Sequence, residues 1–165
     1  MDVESREVTR LTFNELPDRE FSMAQDHLVL RRGWGDGPQE GGEEIVLLHL
    51  ATGEEEPLTE NDWNDAGLDL SAGGELLCWT SKKEGHWESE ILVMNLRTRT
   101  VTNISASPGR DDYCQWHPTE PVVFFLSWRD GDIEIFRSEW GPKGPVVNLS
   151  RFRGNHEWPV VVAPR

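Results

Sequence analysis

The sequence predicts an all-β fold made of repeated four-stranded units, and two observations lead to this fold class. First, a block of about 46 residues occurs three times, and its closing residues are spaced by 47, 46 and 45 positions: Leu11, Leu58, Ile104 and Leu149. Second, each copy consists of short apolar runs separated by turn residues such as Gly and Asp. This period and pattern are typical of the blades of a β-propeller. Because one blade cannot bury its own apolar faces, it needs a neighbour on each side.

Four segments recur in each copy and are predicted to be the four strands of a blade. The first is short and apolar and leads through a turn into the second, which is the most apolar. A short continuous apolar run is expected of a strand that is covered on both faces. The third strand begins at a glutamate in every copy, namely Glu44, Glu90 and Glu134. The fourth is more polar, which suits the exposed outer edge of a blade.

The alignment of the copies divides residues 1–165, taken as a single propeller segment, into three predicted blades and two partial ones. The predicted boundaries are a blade fragment at 1–12, blades at 13–59, 60–105 and 106–150, and the first strand of a further blade at 151–165. Three blades are too few to close a propeller ring. The sequence therefore represents a piece of a longer propeller, or chains assemble to close the ring, with two chains making six blades. Unpaired end blades predict a homo-oligomer.

Composition and charge restrict the classes of partner. The chain has 30 Asp and Glu against 16 Lys and Arg, a formal net charge of −14. This charge repels phosphate backbones and anionic lipids, so we expect neither nucleic acid nor a membrane as partner. The first residues do not resemble a signal peptide, and on the sequence alone we expect a cytoplasmic protein.

Several chemical functions find no support in the sequence. The five histidines show no metal-ligand spacing, and no serine lies in a nucleophile elbow, so we predict no metal, no cofactor and no catalytic residue. Cys78 and Cys114 both lie in apolar runs and are expected to be reduced core thiols. Trp79 and Trp116 are expected to pack between blades.

Candidate binding residues lie in the connections that lead to the next blade. Carboxylates at equivalent places before the first strands would gather around one mouth of the propeller and bind a basic peptide or Ca²⁺: Asp62, Asp65, Asp111 and Asp112. Tryptophans in connecting segments are typical of protein-binding surfaces: Trp34, Trp63, Trp128 and Trp158. The alternatives are that Asp only favours turns here and that these Trp side chains pack over the blade edges.

The repeat resembles the TolB-like, or PD40, group of WD40-like β-propeller repeats. The resemblance is carried by three segments, 115–118 (Gln-Trp-His-Pro), 90–96 (Glu-Ile-Leu-Val-Met-Asn-Leu) and 57–59 (Pro-Leu-Thr). It implies a propeller fold and, because members of the group are often exported, allows a periplasmic location. It does not select one function, since similar repeats serve cell-envelope proteins, peptidases and polysaccharide-degrading enzymes.

The function predicted from these observations is a non-catalytic TolB-like scaffold that binds a protein or a basic peptide at the mouth rich in Asp and Trp. The alternative is the propeller portion of a carbohydrate-active or peptidase-associated enzyme whose catalytic parts lie outside this chain.

Overall fold

The computed structural model describes residues 7–33, 43–83, 85–141 and 144–151, which form three four-stranded sheets. Blade 1 contains β1 (Asp18–Ala24), β2 (His27–Arg32), β3 (Glu44–His49) and β4 (Glu55–Pro57). Blade 2 contains β5 (Trp63–Leu70), β6 (Leu76–Lys83), β7 (Glu90–Asn95) and β8 (Val101–Asn103). Blade 3 contains β9 (Asp111–Trp116), β10 (Val122–Ser127), β11 (Glu134–Glu139) and β12 (Val146–Asn148).

Each sheet is an antiparallel meander in which sequential strands are neighbours. The first strands lie side by side, with β5 in contact with both β1 and β9, so they form the inner edges of the blades. The short fourth strands lie at the other edge of each sheet. The predicted fold class is confirmed: the chain is a partial β-propeller of three four-stranded antiparallel blades. Each third strand begins at its predicted glutamate, Glu44, Glu90 or Glu134.

The core consists of two apolar layers between successive blades. Between blades 1 and 2, Val29, Ile45 and Leu47 pack against blade 2 residues that include Leu70 and Trp79. Between blades 2 and 3, the buried residues are Cys78, Ile91, Val93, Cys114, Trp116, Val123, Phe125 and Phe136. Blade 2 is thus covered on both faces, which explains the continuous apolar run in β6. The predicted burial of both cysteines and of both core tryptophans is confirmed.

Each inner strand contains a β-bulge at an equivalent position. The strand register shifts there, and one residue adopts a positive φ: Glu20 (35°), Gly67 (60°) and Tyr113 (57°). The inner strands begin at Asp18, Trp63 and Asp111, before the short apolar segments from which they are predicted, because the bulge breaks the alternation of apolar and polar residues that defines a strand in a sequence. Asp65, Asp111 and Asp112 consequently lie inside strands and not in the preceding connections.

Side chains of the inner strands connect neighbouring blades. Ser22 Oγ donates a hydrogen bond to Asp69 Oδ1 (2.9 Å) and accepts one from the Leu70 amide (3.0 Å). On the other side, Asp69 Oδ2 accepts the Trp116 amide (2.8 Å). The partly buried Asp69 carboxylate therefore contacts both neighbours of blade 2.

Some sequence predictions concern residues that lie outside the described ranges. The end fragments 1–12 and 151–165 are described only for residues 7–12 and for Arg151. No membrane-spanning helix is present in the part of the chain that the structure describes.

The layer between blades 2 and 3 should be sensitive to loss of volume. Phe125 is fully buried, and its ring stacks on Phe136 with centroids 6.0 Å apart. We expect Phe125→Ala to lower the free energy of unfolding by about 3 to 5 kcal/mol, because it removes apolar contacts and leaves a cavity. Chemical denaturation would measure this. Phe13→Ala is the control, since Phe13 is mostly exposed, and an equal loss in both variants would contradict a packed interface.

Candidate functional site

A groove of about 400 Å³ lies where the inner strands of the three blades begin, and we call it the central groove. Its walls include the three bulge residues Glu20, Gly67 and Tyr113. Bulges redirect side chains locally and are frequent beside binding sites. Here the three bulges place the carboxylate of Glu20, the backbone of Gly67 and the phenol ring of Tyr113 around the opening of the groove. Residues with a positive φ other than glycine carry a conformational cost, which the surrounding contacts must offset.

Hydrogen bonds between blades fix the bulges. Glu20 Oε2 accepts a hydrogen bond from the Gly67 amide at 2.8 Å. The Tyr113 amide donates to Thr80 Oγ1 at 3.2 Å. The Cys114 thiol donates to the Gly67 carbonyl at 3.1 Å. The shape of the groove thus depends on contacts that also hold the blades together.

A buried carboxylate with one unsatisfied oxygen lies at the blade 1 side of the groove. Glu43 is only 2% exposed, and its Oε2 pairs with Arg31 Nη1 at 2.5 Å. Its Oε1 accepts no hydrogen bond from the described residues, although it forms an ion pair with Arg19 Nη1 at 3.6 Å. Arg31 Nε is also buried without a hydrogen bond, 3.6 Å from Glu20 Oε2. An unsatisfied buried carboxylate oxygen is costly, and a donor from a ligand would remove the cost.

On the opposite wall of the groove, formed by blade 3, the charged side chains have more complete hydrogen-bond and ion-pair partners. Asp112 accepts a hydrogen bond from Ser89 Oγ at 2.8 Å and forms an ion pair with Arg110. The Arg110 guanidinium also lies over the half-buried Trp128 ring, 5.0 Å from its centroid. This cation–π contact connects two of the predicted site residues, Asp112 and Trp128, through an arginine that the sequence did not indicate.

Asp65 and Asp111, two of the predicted site residues, are buried structural groups. Asp65 accepts hydrogen bonds from Trp79 Nε1 (3.0 Å), Ser81 Oγ (2.6 Å) and Asn61 Nδ2 (3.0 Å). Asp111 is held by Arg129 Nη2, 3.2 Å from both of its carboxylate oxygens. Neither residue lines the central groove.

The remaining predicted residues differ in their position. Asp62 is exposed in the turn before β5, and Trp63, the first residue of β5, is 37% exposed. Neither lines the central groove. Trp34 and Trp158 lie outside the described residues. Among the residues that the structure describes, no three His, Cys, Asp or Glu side chains form a group that could hold a metal ion.

Sequence reasoning missed the groove residues Glu20, Arg31, Glu43 and Tyr113. The repeat offers a partial signal, because Glu20, Gly67 and Tyr113 follow one another at spacings of 47 and 46. Their residue types differ, however, and a positive φ at Glu or Tyr cannot be read from a sequence.

The Asp65 carboxyl should make stability depend on pH. Burial raises its pKa above the ordinary value of 3.8, although hydrogen bonds from Ser81, Asn61 and Trp79 act against this. Below 3.8 the carboxyl is protonated in the folded and in the unfolded chain. Between 3.8 and the raised pKa the folded chain binds more protons, so this group's contribution to the free energy of unfolding falls as the pH rises.

We therefore expect the stability of Asp65→Asn relative to the wild type to increase as the pH rises through this window. Urea denaturation at a series of pH values would measure the difference. Asp62→Asn removes the same charge at an exposed position and reports the effect of net charge alone. A pH-independent difference for Asp65→Asn would contradict the raised pKa.

Comparison with known proteins supports the fold assignment. No protein-family model matches the sequence, and no curated protein matches it. TolB from Acinetobacter baumannii is similar in structure, with a TM-score of 0.69 and 22% identity over 93% of this chain and 37% of that chain. The β-propeller domain of the Trilobed protease from Pyrococcus furiosus has a TM-score of 0.66 and 16% identity over 83% of this chain and 44% of that chain. A prolyl endopeptidase structure has a TM-score of 0.62 and 14% identity over 81% of this chain and 22% of that chain.

These similarities cover most of this chain but less than half of each of the three structures. They confirm, at the level of the fold, what the resemblance of the repeat implied: the chain has the β-propeller architecture seen in these structures.

Proposed function

We propose that the chain is a non-catalytic propeller scaffold that binds an extended segment of a protein partner in the central groove. The observation that carries this proposal is Glu43, whose carboxylate is almost fully buried yet keeps an oxygen without a hydrogen bond from the described residues. A Lys or Arg side chain, or a main-chain amide, of a bound segment would supply the missing donor.

The charge of the chain favours a basic segment. With a net charge of −14, the protein attracts cationic partners over distances comparable to the Debye length and accelerates their encounter. Within the groove, Arg31, Arg110 and Lys82 balance Glu20, Glu43 and Asp112 in number. Recognition within the groove therefore depends on the positions of individual hydrogen-bond donors and acceptors. The net negative charge of the whole chain favours a partner that carries positive charge.

The size and lining of the groove fit a peptide. A volume of about 400 Å³ is at the lower end of the range for ligand sites and accommodates a few residues of an extended chain. Tyr113 is 37% exposed and offers an aromatic surface for a side chain of the bound segment. Gly67 brings bare backbone to the same wall, so a peptide main chain can approach closely.

A second candidate function is supported by the similarity to peptidase structures. The Trilobed protease and prolyl endopeptidase structures contain propellers with this architecture. In this candidate, the chain is the propeller portion of a larger enzyme, and the central groove contacts the substrate without performing chemistry.

The peptide proposal can be tested with a panel of short peptides that are basic, neutral or acidic. We expect calorimetry to show binding of basic peptides only. Glu43→Gln should weaken this binding about tenfold, because a hydrogen bond to a charged group contributes roughly 1.5 kcal/mol or more. The control is Glu120→Gln, which removes the same charge at an exposed turn after β9, at the far end of the inner strand.

Two outcomes would contradict the proposal. One is equal binding of basic and acidic peptides, and the other is equal weakening by Glu43→Gln and Glu120→Gln. Thermal unfolding of both variants should confirm that the fold is retained.

A further inference from the structure

Two histidines lie together at the end of blade 1 that is opposite to the central groove. His27 is the first residue of β2 and His49 is the last residue of β3, and the strand register makes them direct cross-strand partners. Cross-strand partners have their side chains on the same face of the sheet, within contact distance. Because the two residues are far apart in the sequence, no metal-ligand spacing indicates them.

The separation of the two imidazole rings suits a shared metal ion. Their centroids are 5.3 Å apart, and their planes make an angle of 77°. When two imidazoles bind one Zn²⁺ tetrahedrally, with metal–nitrogen distances of about 2.1 Å, their centroids are about 5 Å apart. The strand pairing therefore already provides the separation that one ion requires. The side chain of His49 is 32% exposed, so its ring can turn toward the ion.

A hydrogen bond to blade 2 leaves one nitrogen of His27 available as a ligand. Nδ1 of His27 lies 3.0 Å from the carbonyl oxygen of Gly74, in the turn between β5 and β6. A carbonyl oxygen can only accept, so Nδ1 carries the proton and the lone pair of the neutral ring is on Nε2. Metal-binding histidines are typically oriented in this way, with the second ring nitrogen donating to a carbonyl or a carboxylate.

A carboxylate lies beside the pair but is held by another group. Glu56 Oε2 is 3.9 Å from His49 Nε2 and forms an ion pair with Arg99, in the turn between β7 and β8. Since Arg99 occupies this carboxylate, we do not count Glu56 as a ligand. This agrees with the finding that no three possible ligands form a metal group in the described part of the chain.

The pair lies at the edge of the apolar layer between blades 1 and 2. Along β2 and β3, alternation places His27 and His49 on the same face as Val29 and Leu47, which are buried in that layer. The contact of His27 with Gly74 also reaches from blade 1 to blade 2. An ion held by both histidines would therefore fix two strands of blade 1 next to their contact with blade 2.

We propose that His27 and His49 form a binding site for one divalent transition-metal ion of the class that prefers imidazole, such as Zn²⁺, with water in the remaining coordination positions. The net charge of −14 attracts cations to the chain. Binding to the folded chain stabilises the end of blade 1 that packs against blade 2. This inference does not depend on the peptide proposal, because the site and the central groove lie at opposite ends of the inner strands.

Calorimetric titration of the full chain with zinc chloride, after treatment with a chelator and its removal, tests the site. We expect His27→Ala and His49→Ala each to weaken zinc binding at least tenfold, because the loss of an outer-shell partner alone typically costs about 10- to 100-fold in metal affinity. His86→Ala is the matched control, since His86 is an exposed histidine in the connection between β6 and β7, and it should leave the affinity unchanged. Circular dichroism should verify the fold of all three variants.

Thermal unfolding provides a second measurement. Zinc should raise the unfolding midpoint of the wild type and of His86→Ala, but not that of His27→Ala or His49→Ala. Magnesium should have no such effect, because it prefers oxygen ligands. The proposal would be overturned by a wild type that does not bind zinc, by binding that is unchanged in His27→Ala or in His49→Ala, or by an equal loss in His86→Ala.

Discussion

The structure depends on the need of every four-stranded blade to have both of its faces covered. A twisted sheet of four short strands has two apolar faces and cannot bury either by itself. Blade 2 meets this requirement in full, with Val29, Ile45 and Leu47 on one side and Phe125 and Phe136 on the other. The order of the strands, the polar fourth strands and the inner-edge hydrogen bonds all follow from stacking blades in this way around an axis.

The same stacking creates the candidate site. Where the inner strands begin, each contains a bulge, and each bulge is fixed by a contact with a neighbouring blade, such as the one between Glu20 and Gly67 or the one between Tyr113 and Thr80. Glu43 lies just before β3, and its carbonyl accepts the amide of Asp65 in blade 2 (3.3 Å). The groove is therefore part of the joint between the blades, and its geometry is as rigid as the packing beneath it.

Much of the fold could be predicted from the sequence because it repeats. One repeated unit is defined by the spacing of Leu58, Ile104 and Leu149 and by the glutamates that begin the third strands. A repeated unit of this length has few possible architectures.

The candidate site was less predictable from the sequence than the fold. Asp65 and Asp111 occupy equivalent places for a structural reason, since each is a buried acceptor for donors of its own blade, including Ser81 and Arg129 respectively. Repetition in a sequence indicates the residues that every blade needs, whereas a residue proposed to bind a partner, such as Glu43, occurs at its position in one of the three blades.

The sandwiched position of blade 2 has a consequence for local opening of the structure. In a linear array with interactions between nearest neighbours, the end units fray and the middle unit opens only when the array does. The backbone amides of β6, between two apolar layers, belong to the slowest-exchanging class in such an array. Those of β4 and β12, short outer-edge strands of the two end blades, belong to the fastest among the strands. Protection against hydrogen exchange would then decline outward from the centre of the chain in both directions.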